Sequence, residues 1–354
     1  WSRVCAPAVR LAREGWEADA FTVEASRAIE SFLSDRENPD PFLRDRYVGL
    51  TIGRTITNPE QAEALERIAE EGPSAFYTGE VAEAIVESVR ARGGVMTLGD
   101  LRGYRPKEVP PIVGTFMGRS LVSMPLPSSG GVTMHEALSI LESRSDLWSD
   151  AESPDDPGYA HALIESMKHA FADRAEHLGD PEFDEIPVGL MLADESIETR
   201  ARRVHPDRTF DPDYYTHAGP LPTSGGTSHV SIIDRWGNAV AMTETINLTF
   251  GAKFTAEGFG FALNNEMDDF LAERGTVNAF GLVQSERNLP DAGKRPLSSM
   301  SPTVVMDLSQ REVRLVAGAS GGPRIITSSM QSIINALVFG MGAREAVMSP
   351  RVHH

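Results

Sequence analysis

The run Gly225-Gly226-Thr227-Ser228-His229-Val230-Ser231 places a hydroxyl residue directly after two glycines and at the head of an apolar strand pattern. If the chain is cut before Thr227, that residue carries a nucleophile, its hydroxyl, and a base, the freed α-amine. A terminal amine has a reference pKa of about 7.7–8.0, so part of it is unprotonated near neutral pH. A threonine activated by its own amine is a known nucleophile class. The plainer reading is a threonine that opens a strand because strands favour it.

Other groups downstream could serve such a nucleophile. Thr245 and Asn247 close the run Thr243-Glu244-Thr245-Ile246-Asn247. One hydroxyl beside another can orient its proton, and an amide can donate to one group while accepting from a second. Glu266 and Asp269 lie in Asn264-Asn265-Glu266-Met267-Asp268-Asp269. Clustered carboxylates suit an ammonium group, a hard cation or a solvated turn, and calcium-loop spacing is missing. The pair Ser298-Ser299 could bond a carboxylate without supplying a charge, or simply form a turn. Gly321-Gly322 lets backbone N–H groups approach a developing negative oxygen. The segment lacks the lysine and spacing of a phosphate-binding P-loop. His169, Asp173 and His177 recur at i, i+4 and i+8 on a helix, a spacing that could mimic a metal site. Ser128-Ser129-Gly130-Gly131 reads as a helix start after a turn, and Cys5 as a packing residue.

These groups need elements to hold them. Pro7 suits a first helical turn, with Gly15 as its stop. Val81, Ile85, Val86 and Val89 line one side of a helix that ends at Gly93-Gly94. Residues 109–124 read as extended with a turn at Met117-Gly118, and helices follow over 132–141 and 158–178. Residues 205–226 are rich in Pro, Gly, Asp and Thr and read as a mobile, cleavable connector. Strand patterns then occupy 230–233 and 239–245 around a turn at Trp236-Gly237-Asn238, and 303–308 and 313–317. An apolar helix spans 325–339. Strands followed by helices imply sheets covered by helices.

The 354 residues allow two ordinary domains or one large one, and 41% hydrophobic residues suffice for a core. The net charge is −18, unevenly spread. Residues 1–226 carry 22 basic and 39 acidic side chains, while 227–354 carry 11 and 12. Such acidity makes nucleic acid a poor partner. With one cysteine no internal disulfide can form. No apolar run reaches the roughly 18 residues of a membrane span.

Several separate stretches resemble the γ-glutamyltranspeptidases, or glutathione hydrolase proenzymes, a family of N-terminal-nucleophile hydrolases. They are TSHVSIIDRWGNAVAMTETINLTFGAKFTAEGFGFALNNEMDDF, GKRPLSSMSPTVV and AGASGGPRIIT, with APAVRLAREGW, FYTGEVAEAIVESVRARGGVMTLGDLRGY, SMPLPSSGG and FADRAEHLGDPEF upstream. The resemblance implies an α/β fold, a four-layer αββα sandwich with a helical large-subunit region. It implies a large-subunit part over 1–226 and a small-subunit part over 227–354. It assigns Thr227 as nucleophile, Thr245 as its hydroxyl partner and Gly321 and Gly322 as the oxyanion hole. Asn247 falls to the γ-glutamyl site, Glu266 and Asp269 to the donor α-amine, and Ser298 and Ser299 to its α-carboxylate. Phe280 stands where many bacterial relatives have a hydroxyl-bearing aromatic gate, and Ser228 where threonine is commoner.

The implied reaction is γ-glutamyl hydrolysis or transfer from glutathione or a related donor to water, an amino acid or a peptide, with no cofactor and no metal. Self-cleavage before Thr227 would leave two paired subunits, in a periplasmic or extracellular setting. The resemblance also places both ends of the chain inside longer subunits, with the carboxylate-clamping arginine expected upstream of Trp1. Two alternatives stand beside it: an acylase of the same fold acting on another amide, as cephalosporin acylases do, and an unprocessed binding protein.

Overall fold

Two compact units divide the chain, residues 1–108 with 248–265, and residues 109–247 with 266–354. The computed structural model describes residues 1–34, 40–215, 226–273 and 276–353. The first unit is mainly helical. It contains α1 (Ser2–Glu14), α2 (Ala20–Leu33), α3 (Pro41–Tyr47), α4 (Pro59–Glu71), α5 (Ser74–Tyr77), α6 (Glu80–Arg90) and α7 (Leu98–Gly103). Two short strands, β1 (Trp16–Glu17) and β2 (Thr55–Ile56), pair antiparallel.

Helix α1 begins at Ser2, so Pro7 lies inside it rather than in its first turn. The extra turn is fastened to α4. The Trp1 indole N–H donates to the Ile68 carbonyl at 2.7 Å and the Ser2 hydroxyl to Ala69 at 3.0 Å. These contacts offset the helical hydrogen bond that proline cannot donate. Gly15 ends the helix as expected, at φ 91°. Val81, Ile85 and Val86 of α6 are buried, and Val81 and Ile85 pack with Ala256 and Phe259. The buried Asp40 caps α3 and also accepts from Thr255 N–H at 2.8 Å, tying in the 248–265 segment.

The second unit is built on a four-stranded antiparallel sheet, in the order β3 (Ile112–Phe116), β4 (Arg119–Ser123), β7 (Thr303–Asp307), β8 (Glu312–Ala317). Met117 and Gly118 join β3 to β4 at φ 50° and 69°. Two successive positive-φ residues give the turn whose twist suits a hairpin. Leu121 faces Val305 across the ladder, and both are fully buried against helices α8 (Gly130–Ser143), α9 (Pro157–His177) and α13 (Arg324–Leu337). Each such side chain contributes about 1.5–3 kcal/mol of burial. Pro157 sits in the first turn of α9 and Asp156 caps it, accepting from Tyr159 N–H at 2.9 Å. Along α9, Leu163, Met167, Ala170 and Arg174 form one buried stripe.

Three short helices, α10 (Val188–Met191), α11 (Asp194–Ala201) and α12 (Pro212–Tyr215), follow α9, and α14 (Ala343–Met348) follows α13. Of the expected connector, 216–225 lie outside the described residues. The part before them is packed. Tyr215 is 3% exposed, its hydroxyl donates to Glu165 at 2.8 Å, and its ring meets His169 edge-on. The aromatic cluster of Phe210, Tyr214 and Tyr215 outweighs the turn-forming residues there. His169 therefore belongs to an aromatic pocket, and burial pushes its imidazole down to about 4.

The hairpin of β5 (Thr227–Ile233) and β6 (Ala239–Thr245) is paired over its whole length and packs against β7 and β8. Asp234 closes its turn by accepting from Trp236 N–H at 2.8 Å and Asn238 N–H at 2.9 Å.

Candidate active site

The β5–β6 register sets Thr227 directly opposite Thr245. Their hydroxyl oxygens stand 2.9 Å apart. Thr245 Oγ1 also accepts from the Asn247 N–H at 2.8 Å, and its hydroxyl is bonded to the Glu266 carboxyl. An ionised Glu266 accepts the hydrogen bond that the Thr245 hydroxyl donates, so Thr245 Oγ1 accepts from Thr227. Asn247 is 3% exposed and held at φ 72°, a left-handed conformation that asparagine tolerates better than most residues. Its carbonyl accepts from Gly226 N–H at 2.7 Å, and the Gly226 carbonyl accepts from Ile246 N–H at 3.0 Å. The ladder thus extends one residue beyond Thr227 on its upstream side.

Glu266 and Asp269 fall in one 3-10 turn. Burial pushes the Glu266 carboxyl up to about 7, opposed by its bond to Thr245. Burial pushes Asp269 up to about 8, with Glu266 raising it further and Arg174 opposing. The Asp269 backbone carbonyl accepts from Gln284 Nε2 at 3.0 Å and Asn288 Nδ2 at 2.7 Å. Asn288 is fully buried and its Oδ1 accepts from Leu297 N–H at 3.0 Å. One amide therefore ties the carboxylate turn to the residue before Ser298.

Ser298 and Ser299 lie beside the start of α8. The Ser298 carbonyl accepts from Ser129 N–H at 2.8 Å and Ser129 Oγ at 2.7 Å. Gly321 and Gly322 sit between β8 and α13 at φ 115° and 60°. A Cβ at Gly322 would meet the Phe280 ring at 2.5 Å. Phe280 is 5% exposed, and its N–H donates to Asn278 Oδ1 at 3.0 Å. Asn278 reaches back to Asp269 Oδ1 at 3.4 Å. The ten residues that the resemblance assigns, Thr227, Thr245, Asn247, Glu266, Asp269, Phe280, Ser298, Ser299, Gly321 and Gly322, are thereby joined, directly or through a neighbour, into one set in the second unit.

The γ-glutamyltranspeptidase family model matches residues 1–354. The glutathione hydrolase proenzyme of Escherichia coli (strain K12) is 37% identical over 356 residues, covering 100% of this chain and 60% of the relative. The chain belongs to the γ-glutamyltranspeptidase family. It spans about 60% of the length of the curated relatives it matches. The solved γ-glutamyltranspeptidase of Pseudomonas nitroreducens, in complex with L-DON, is 32% identical, with a TM-score of 0.56 over 61% of this chain and 63% of that one. A cephalosporin acylase from Bacillus halodurans aligns over 98% of this chain and 60% of its own, with a TM-score of 0.79 at 24% identity. That likeness concerns the fold: the α/β sandwich of N-terminal-nucleophile hydrolases.

In this γ-glutamyltranspeptidase family member the structure adds residues that sequence reasoning passed over. Asn278 and Asn288 were unmarked, since single asparagines in loops carry no periodic signal. Arg174 is 1% exposed and donates from Nε to Ser129 Oγ at 2.9 Å and from Nη2 to Ser299 Oγ at 3.4 Å. Its signal was available: a lone arginine continues the apolar stripe of α9.

Proposed function

We propose that the protein is a γ-glutamyl hydrolase and transpeptidase whose nucleophile is Thr227, freed by cleavage of the Gly226–Thr227 bond. The observation that carries this reading is the 2.9 Å contact between the Thr227 and Thr245 hydroxyls, in a chain matched throughout by the family model. In self-cleavage, the Thr227 hydroxyl attacks the Gly226 carbonyl carbon. The carbon–nitrogen bond breaks, the nitrogen becomes the α-amine of Thr227, and water opens the resulting ester. The two parts remain together as paired subunits.

The mature Thr227 hydroxyl then attacks the γ-amide carbonyl of glutathione or a similar donor. Its proton passes to the α-amine and on to the leaving amine. Backbone N–H groups at Gly321 and Gly322 are suited to the oxyanion because neither carries a Cβ to block approach. Water or an acceptor amine resolves the γ-glutamyl ester. Glu266 and Asp269 receive the donor ammonium, and Ser298 and Ser299 its carboxylate. Burial makes both carboxyls hold protons more tightly than usual. An arriving ammonium favours their ionised forms, so donor binding releases protons.

The test is to purify the protein from its native gene, sequence its fragments and measure γ-glutamyl anilide turnover. A smaller fragment beginning Thr-Ser-His, together with turnover, is expected. An active preparation made of one uncut chain would overturn the mechanism. Preference for an amide without an α-amino acid head would favour the acylase reading.

A further inference from the structure

We propose that Arg174 is a positioning residue that aims the Ser299 hydroxyl at the donor α-carboxylate and supplies the buried positive charge facing it. The inference rests on the γ-glutamyl reading above. Arg174 lies in the last turn of α9 and is among the largest fully buried side chains of the protein. A guanidinium only donates hydrogen bonds. Ser299 Oγ therefore accepts from Arg174 Nη2, at 3.4 Å, and its single O–H proton remains for another acceptor. Among the described residues Ser299 has no protein acceptor for that proton.

Ser129 is bound differently. It accepts from Arg174 Nε at 2.9 Å and donates to the Ser298 carbonyl at 2.7 Å, so its proton is committed. One guanidinium thus fixes the backbone at Ser298 through Ser129 and leaves Ser299 as the directed donor.

The charge points the same way. A buried cation is costly unless an anion pairs with it. Asp269 attracts Arg174 electrostatically, but no carboxylate among the described residues forms an ion pair with it. Burial pushes Asp269 up to about 8, so its carboxyl is largely neutral near pH 7. A donor headed by an α-amino acid brings both missing charges. Its ammonium ionises the Glu266 and Asp269 side, and its carboxylate meets Ser299 with Arg174 behind it. A γ-glutamyl head is preferred to one lacking either group because both halves of the pocket are satisfied together.

The experiment compares γ-glutamyl anilide with 4-aminobutyryl anilide, which lacks the α-carboxylate, on the protein and its Arg174→Met, Arg174→Lys and Ser299→Ala variants. Losing a hydrogen bond to a charged group corresponds to roughly tenfold to hundredfold in affinity. Arg174→Met is expected to raise KM for γ-glutamyl anilide by about that factor with kcat much less affected. Loss on the 4-aminobutyryl anilide is expected to be far smaller. Arg174→Lys keeps the charge without the fork and falls between. Combining Arg174→Lys with Ser299→Ala is expected to cost clearly less than the sum of the two single losses, because they share the Ser299 contact while Arg174→Lys also loosens Ser298 through Ser129.

Equal losses on both anilides, or additive effects in the double variant, would show a merely structural arginine and overturn the proposal. Should Arg174→Met fail to fold, the Arg174→Lys and Ser299→Ala pair decides the matter by the same criteria. If the parent protein turns over no γ-glutamyl anilide, the functional reading fails and this proposal falls with it.

Discussion

Thr227 and Ser299 each offer a hydroxyl to the proposed donor, yet the two are held by different means. Around Ser299 the surroundings are closed: Ser129 and Asn288 are 0% exposed, and Arg174 is 1% exposed. Around Thr227 they are more open: Thr227 and Thr245 are only half-buried, and on the opposite face of their hairpin Val230 and Ile232 of β5, with Val240 and Met242 of β6, are 42–52% exposed. The serine corner is fixed by buried donors that have few alternatives. Thr227 is fixed by ladder register, which places it opposite Thr245 without deep burial. Under the proposed function, substrate recognition would thus depend on packing, and the aim of Thr227 on strand pairing.

The sharpest way to break the open half is Thr227→Ala. It should abolish both fragment formation and turnover, with a loss on the order of 10⁴ or more, as for nucleophiles that act with their base as a unit. Gel analysis and γ-glutamyl anilide kinetics check it, and a cut, active variant would remove Thr227 from the mechanism.

Gly322→Ala comes next. At φ 60°, with the Phe280 ring 2.5 Å from the added Cβ, backbone and ring must both shift. Displacing an oxyanion donor costs about 10²–10³ in kcat. Adding Phe280→Ala makes room but leaves the strained φ. Full recovery in the double variant would show that crowding alone mattered.

Asp269→Asn probes the closed half. Removing one charged partner in a desolvated site costs about 2–5 kcal/mol, tenfold and upward in kcat/KM for γ-glutamyl donors, with processing intact. Stability should move with pH as well. The Asp269 carboxyl holds its proton to about 8 in the fold, against an ordinary 3.8. Between those values the folded state binds more protons than the unfolded one, so this group lowers stability as pH rises. Asp269→Asn should flatten the fall in Tm from about pH 4 to 8, and an unchanged profile would place the carboxyl in solvent.

The smallest effect is expected at Val240→Ala, on the open face. A residue 52% exposed there should change unfolding free energy by no more than about 0.5 kcal/mol in urea titration. A loss of several kcal/mol would mean that this face is covered in solution.

Much of this contrast was legible in the sequence. The helices at 158–178 and 325–339 follow from periodicity, because each buries one face, whereas the strands at 230–233 and 239–245 follow from their β-branched residues and the turn between them, their apolar face being exposed. The residues proposed for the site come from motif resemblance, not from periodicity. Pro7 misled because its local preference was weighed without Trp1, whose contact with Ile68 lies far along the chain. The packing of Tyr215 against Glu165 was hidden for the same reason. Arg174 was missed because a charge on an apolar stripe looks like an interruption until its partners, Ser129 and Ser299, are seen to come from other elements.

The two hydrogen bonds at Gly226 bear on timing. Its N–H donates to Asn247 and its carbonyl accepts from Ile246, both beside the nucleophile. Under the proposed self-cleavage, scission alone breaks neither bond, so the new carboxyl end at Gly226 would stay paired beside Thr227. Maturation on this account has two clocks, one for bond breaking and one for clearance of the departing end. Turnover should lag fragment appearance in a time course, and weakening the grip on Gly226 should shorten the lag without changing the rate of cutting.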